Sequence, residues 1–235
     1  MVASTISQDA RFSRQAQLVH PRLQDAIVAI GGVGMLGSWA ALGLARCVGH
    51  VFAADPDVVE DVNSGNQAYN GDYIGLPKVE ALARLASGLP LTTHHGDFPL
   101  DKSPAELFPV LPELDEPRSL IVMSGADSFA VRALLANYAL HHNASVFVDT
   151  RAMGELTVVC IVPQHHIEKY LAEEIIDDKD APDAPCGATG TAWVGMAIAG
   201  RVISGLNAHY RGMPNVPSVH VEQLSQDVLR SEVWR

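Results

Sequence analysis

An α/β fold is predicted: a Rossmann-like, mostly parallel sheet with helices on both faces and an antiparallel C-terminal extension. Three observations predict it. Short β-branched apolar runs alternate with helical segments along the first 150 residues, the pattern of a parallel sheet wrapped by helices. A glycine-rich turn, Gly32, Gly34 and Gly37, stands between the first strand and the first long helix. After Gly154 the style changes to a longer strand, a mobile acidic stretch and a long helix rich in Ala and Gly.

Ala26 to Ile30 reads as a buried strand that feeds directly into the glycines, which follow G-x-G-x-x-G spacing. The first glycine turns the chain, the second leaves room for a phosphate against the backbone, and the third lets helix and strand pack closely. The helix is expected over Ser38 to Cys47, its N-terminal amides directed at an anion over the loop. Val51 to Ala54 is the second strand. It ends in Asp55, 18 residues after Gly37, where a carboxylate can accept hydrogen bonds from ribose hydroxyls. Further strands are expected at Leu91 to Thr93, Leu120 to Met123 and Ser145 to Val148, and helices at Lys78 to Ser87 and Phe129 to His141. Phe98 to Pro117, with five prolines, is expected as a surface connection.

Leu156 to Val162 is predicted to run antiparallel to its neighbours, and Ile167 to Ile176 to be helical. Asp177 to Pro185 reads as a mobile acidic loop, Thr191 to Leu206 as a long apolar helix suited to a dimer interface, and Ser218 to Glu222 as an edge strand. The whole chain, 1–235, is read as one nucleotide-binding domain, with 1–150 its Rossmann-like part and 151–235 the extension carrying a crossover loop and the dimer-type helix.

With 48% apolar and 18% charged residues the chain can bury a sizeable core. No apolar run reaches the ~18 residues of a membrane span, and the N-terminus does not read as a signal peptide, so a cytoplasmic protein is expected. A net charge of −11 without a basic tract argues against nucleic-acid binding and is compatible with a basic partner surface. Cys47, Cys160 and Cys186 are solitary, so neither a disulfide framework nor a Cys-x-x-Cys metal site is expected. The doublets His94-His95, His141-His142 and His165-His166 have no ligand spacing and are read as surface or helix-end residues.

Six segments in a fixed order carry a more specific signal. They are Arg11-Phe12-Ser13-Arg14-Gln15; the glycine loop; Asp55-Pro56-Asp57; Asn63 to Gln67; Asp72-x-x-Gly75-x-x-Lys78; and Ser124-Gly-Ala-Asp127-Ser-Phe-Ala-Val-Arg132. Together, over some 120 residues, they resemble the ThiF/MoeB/HesA family, prokaryotic relatives of ubiquitin-activating E1 enzymes. The resemblance implies an E1-like adenylyltransferase: ATP with Mg²⁺ adenylates a carboxylate, above all the C-terminal glycine of a small ubiquitin-like or sulfur-carrier protein or peptide. It implies that Lys78 and Arg14 supply cations, Arg14 across a homodimer interface, and that Asp127 holds Mg²⁺. Gly32, Gly34, Gly37, Asp55, Asp57, Asn63, Asn66 and Gln67 would then surround the nucleotide.

Taken singly, several of these residues have plainer roles. Lys78 can be a solvated lysine at a helix start, Arg14 a surface arginine, and Asp127 the N-cap of the helix from Phe129. The chain also departs from the family pattern. Asn66 stands where relatives carry an arginine, a loss typically worth ~1.5–3 kcal/mol for a charge-assisted contact. Arg151 is a candidate replacement, or a loop arginine pairing with Asp149 or Glu155. The paired cysteines that hold a structural zinc in many relatives are absent, so no zinc is expected. Cys186, just before the long helix, is either an acyl acceptor, as a cysteine there is in some relatives, or a small apolar residue at a loop junction. A catalytically weakened nucleotide- or partner-binding relative, a relative acting on tRNA or a peptide, and an NAD-dependent oxidoreductase are the alternatives.

Overall fold

The computed structural model describes residues 8–109, 118–180, 190–213, 219–223 and 228–232. Two short helices, α1 (Gln8–Phe12) and α2 (Pro21–Asp25), precede β1 (Ile27–Gly31), α3 (Met35–Leu44) and β2 (His50–Asp55). Next come α4 (Lys78–Leu85), β3 (Leu91–His95), α5 (Pro104–Leu107), β4 (Leu120–Ser124), α6 (Phe129–His141), β5 (Val146–Met153) and β6 (Leu156–Pro163). The chain continues with α7 (Ile167–Glu173), α8 (Ala192–Tyr210), β7 (Val219–Gln223) and β8 (Val228–Glu232).

All eight strands join one sheet in the order β3-β2-β1-β4-β5-β6-β7-β8. The first five are parallel, and β6 to β8 are added antiparallel. β1 is buried along its whole length and separates two cores by the alternation of a strand's side chains. Val28 and Ile30 point into the core under α3, α4 and α8. Ile27 and Ala29 point into the one under α6 and α7. Sheet order reverses at β1, whose neighbours are β2 on one side and β4 on the other, and the crevice at the carboxyl ends of such strands is where open α/β sheets bind ligands.

Several boundaries differ from those the sequence suggests. α3 starts at Met35, directly after Gly34, so Gly37 lies inside its first turn rather than ahead of it. Met35 and Leu36 are good helix formers, and Gly37, a poor one, is retained there because no larger residue fits against the Gly32 carbonyl. β3 runs on through His94 and His95, which are therefore strand residues. Leu107 and Phe108, in the proline-rich connection, are buried in the second core, where Phe108 meets Phe52 and His50 edge-on. α8 is longer at its C-terminus, reaching Tyr210, because Asn207 and Arg211 bind the carbonyl of Leu18 and fasten it to the N-terminal segment. β7 is not the sheet edge, since β8 pairs with it over five residues. Part of the predicted acidic loop, after Asp177, is a short 3₁₀ turn, Asp178–Asp180; residues 181–185 of it, and Cys186 beyond, lie outside the described residues.

Candidate functional site

The glycine turn divides its labour. Gly32 takes a left-handed φ of +88°, a conformation that glycine alone adopts without cost. At Gly37 a β-carbon would stand 1.9 Å from the carbonyl oxygen of Gly32, so this glycine is required by packing. Gly125, just past β4, meets the same oxygen, and a β-carbon there would lie 2.5 Å from it. Gly34 is different: a β-carbon on it would meet nothing within 4 Å. It caps α3 without a side-chain hydrogen bond, so among the described residues no side chain caps the first amides of that helix.

Asp55, 5% exposed at the end of β2, spends its carboxylate on the backbone. One oxygen accepts from the Val33 amide at 2.7 Å, the other from the Asp57 amide at 2.9 Å, so the residue ties the glycine loop to the exit of β2. Tyr69, also buried, donates to the Val33 carbonyl at 2.8 Å, and burial together with the Asp55 charge raises its phenol far above the usual range. The carboxylate presented outward is Asp57.

The second wall is the segment 56–78, folded back on itself. Val58 bridges Pro77, Val59 donates to Leu76 and accepts from Gly75, and the Lys78 amide binds the Asp57 carbonyl at 2.9 Å. This places Lys78, buried at the start of α4, with its Nζ 2.7 Å from Asp57 Oδ2. An open pocket of about 350 Å³ follows, lined by Pro56, Asp57, Val58, Glu60, Asn63 and Lys78. Asn63 and Glu60 cap each other in a 3₁₀ turn over Asp61–Gly65, the Asn63 side chain accepting from the Glu60 amide at 2.8 Å. That turn is anchored on α3, where Trp39 donates to the Asn66 carbonyl at 3.1 Å and the Ser38 hydroxyl accepts from the Ala68 amide at 3.1 Å. The side-chain oxygens of Asn66 and Gln67 are buried without a hydrogen-bond partner among the described residues. Neither residue lines the pocket.

The third wall is the exit of β4. Asp127 is exposed, and no hydrogen bond or ion pair engages its side chain among the described residues. It is not the cap of α6: Ser128 is, accepting from the Val131 amide. Asp178 reinforces that cap, accepting from the Phe129 amide at 2.5 Å and the Ser128 hydroxyl at 2.8 Å, which hold its carboxyl below the usual carboxylate range. Behind this wall Arg132 and Arg151 both bind the fully buried Asp149, and Arg151 also reaches the carboxylate of Glu174 at 3.4 Å. Arg151 is thus committed to Asp149 and Glu174, not to Glu155. Burial, with Asp149 across the β5–β6 pair, pushes the Cys160 thiol up, which keeps it protonated and unreactive.

Arg14 is not brought to this site within the chain. It is exposed on a turn fastened to the far end of α3, where Arg11 donates to the Ala45 carbonyl and Gln15 to that of Arg46. α3 spans ten residues, so the turn lies ~15 Å along the helix axis from the glycine loop. Sequence reasoning missed Glu60, Tyr69 and Asp178. Glu60 lies between two segments already singled out, Asp55-Pro56-Asp57 and Asn63 to Gln67, whereas Tyr69 and Asp178 act through contacts across the fold that no local pattern announces.

The described residues contain no group of three or more His, Cys, Asp or Glu able to hold a metal ion. Mg²⁺, however, is commonly bound through one or two carboxylates plus the phosphates of its nucleotide, and a free Asp127 beside the glycine loop suits that donor set. No helix among the described residues is long and apolar enough to cross a membrane.

The ThiF family model matches residues 7–231. Ubiquitin-like modifier-activating enzyme 5 of Drosophila ananassae is 34% identical over 122 residues, 48% of this chain and 31% of that protein. The chain therefore spans about a third of the length of that relative. Among solved structures, PaaA superposes with a TM-score of 0.66 at 20% identity, over 99% of this chain and 76% of that one. MccB of E. coli, determined with ATP, superposes with a TM-score of 0.65 at 17% identity, over 95% and 71%. At these identities the superpositions establish the shared fold.

Proposed function

The chain belongs to the ThiF family, and on that premise we propose that it is an E1-like adenylyltransferase, using ATP and Mg²⁺ to adenylate a carboxylate. The favoured substrate is the C-terminal glycine of a small ubiquitin-like or sulfur-carrier protein or peptide. One observation carries the reading: at the switch point of the sheet, α3 starts at a glycine whose β-carbon position is empty among the described residues and has no side-chain cap, while a buried lysine lines the nearby pocket.

In adenylation a carboxylate oxygen attacks the α-phosphorus, the bond to the bridging oxygen breaks and pyrophosphate leaves. Charge grows on phosphate oxygens, so fixed positive ends aimed at them do most of the work and no strong base is needed. The α3 amides and Lys78 supply those ends. Lys78 is held ready by Asp57, whose side chain, 63% exposed, is free to turn to ribose hydroxyls once phosphate takes the ammonium. Mg²⁺ on Asp127 would neutralise the phosphates. Asn63, on the pocket wall, orients the phosphates or the incoming carboxylate, whereas Gln67, off that wall, is left with a supporting place behind it. Arg14, remote within its own chain, completes the site from a second copy in a homodimer, and the acyl-acceptor role of Cys186 falls after adenylation.

A second reading, a nucleotide- or partner-binding relative with weakened chemistry, is favoured by a specific observation. Asn66 replaces a cation, and Arg151, its candidate substitute, is already committed to Asp149 and Glu174. Pyrophosphate release from ATP in the presence of a peptide ending in Gly-Gly separates the two. Release that disappears in Lys78→Ala supports the enzyme; ATP binding without release, with every carboxylate supplied, supports the binding module.

A further inference from the structure

Asp127 stands on a connection of two residues, 126–127, between two fixed points. Upstream, the Gly125 amide donates to the Gly31 carbonyl at 2.9 Å, and Gly125 lies too close to Gly32 for a β-carbon, so the exit of β4 is locked to the glycine loop. Downstream, three consecutive residues are held by one carboxylate from 48 to 50 positions away: Asp178 accepts from the Ser128 hydroxyl at 2.8 Å and from the Phe129 and Ala130 amides at 2.5 and 3.3 Å. Asp178 is itself supported from behind. Lys179 donates to Asp177 from its amide at 3.1 Å and from its ammonium at 2.7 Å, which closes the 3₁₀ turn that carries Asp178. Four residues earlier, Arg151 holds Glu174 at the end of α7, by its carbonyl at 3.2 Å and its carboxylate at 3.4 Å. The guanidinium groups of Arg151 and Arg132 also lie 5.0 and 5.5 Å from the Phe129 ring. The helix has a cap without Asp178, since Ser128 accepts from the Val131 amide.

We propose that Asp178 is a positioning residue for metal binding: through Ser128 and the first amides of α6 it fixes the backbone that carries Asp127, so that the Asp127 carboxylate meets the Mg²⁺ of the nucleotide already in place. The proposal rests on the adenylyltransferase reading, in which Asp127 is the metal ligand. Asp178 is an anchor and not a second ligand, because both its oxygens are taken by the three donors of residues 128–130. Asp127, the next residue back along the chain, keeps its own carboxylate unengaged among the described residues. Contacts that orient a metal ligand without touching the metal commonly contribute ten- to a hundredfold in affinity, since the ligand then loses little freedom on binding.

Metal affinity, read as the Mg²⁺ dependence of ATP binding in calorimetric titrations, tests this on the parent, Asp127→Ala, Asp178→Ala, Asp178→Asn and the double variant Asp127→Ala with Asp178→Ala. Asp178→Ala is expected to weaken the metal-dependent binding about ten- to a hundredfold, while ATP without metal binds as it does to the parent. Asp178→Asn, which keeps an acceptor for the Phe129 amide, is expected to recover most of that loss. Added to Asp127→Ala, Asp178→Ala is expected to change nothing further, because a residue that acts through Asp127 has no effect once that carboxylate is gone. Hydrogen exchange at the Phe129 and Ala130 amides is expected to quicken in Asp178→Ala, with Tm lowered by only a few degrees, since Ser128 still caps α6. Unchanged metal affinity in Asp178→Ala, an equal loss of metal-free ATP binding, or effects that add in the double variant would overturn the proposal and leave the adenylyltransferase reading in place. A parent that binds no ATP would remove that reading, and an Asp127→Ala protein with the parent's metal affinity would remove the metal role of Asp127; either would take the proposal with it.

Discussion

Substituting alanine for Gly34 and for Gly37 separately tests whether the glycine loop is built for a ligand. A methyl at Gly37 would lie 1.9 Å from a backbone oxygen, where a real contact needs at least 3.0 Å, so α3 or the loop must retreat by about 1 Å. Forced overpacking of this kind costs ~1–3 kcal/mol, and here the opposing atom is backbone, so the upper end applies. At ~2–4 °C per kcal/mol for a chain of this size, Gly37→Ala should lower Tm by about 6–12 °C. A methyl at Gly34 meets nothing within 4 Å and should change stability by about 1 kcal/mol or less. It fills the space over the head of α3, however, and loss of charge-assisted contacts there costs ~1.5–3 kcal/mol, roughly ten- to 150-fold in ATP affinity. Scanning calorimetry and ATP titration on both variants check this. Undiminished ATP binding by Gly34→Ala would refute the phosphate-cradle reasoning, and an unchanged Tm for Gly37→Ala would refute the packing account.

Because Asp127 is exposed and unengaged, Asp127→Ala should abolish Mg²⁺-dependent ATP turnover while leaving the melting curve in place; undiminished turnover would remove Asp127 from the site. Asp149→Asn leaves two arginines facing a neutral buried group and should destabilise by ~3–5 kcal/mol in urea unfolding, a loss that would be absent if the cluster were solvated. Burial, then Arg118 and Arg11, lower His50 to about 4 from its usual 6.5. The folded state therefore keeps His50 neutral while the unfolded chain protonates, so stability present above pH 6.5 falls as pH drops towards 4, by up to about 3 kcal/mol. His50→Gln should flatten that part of the pH profile of unfolding.

Much of the fold was legible because its signals are local. Each parallel strand is a short β-branched run, and the glycine spacing marks the crossing of strand and helix. What escaped was set by tertiary contact. Ser128 rather than Asp127 caps α6, because the Asp178 carboxylate arrives from fifty residues away to share the cap. Asp55 stood at the offset of a ribose carboxylate, yet the fold fastens both its oxygens to backbone and turns Asp57 outward instead. Lys78 reads as an ordinary helix-start lysine until the bridge between Val58 and Pro77 is seen to bury it beside Asp57. Arg14 shows the opposite limit: its motif is clear in the sequence, but its turn is fastened to the end of α3 away from the loop.

Calorimetric titration with ATP and Mg²⁺, with NAD as comparison ligand and Lys78→Ala as control, tests the central claim most directly. The account predicts that ATP binds, that NAD does not, and that binding weakens at least about tenfold without the Lys78 ammonium. Binding of NAD, or ATP binding indifferent to Lys78, would contradict it.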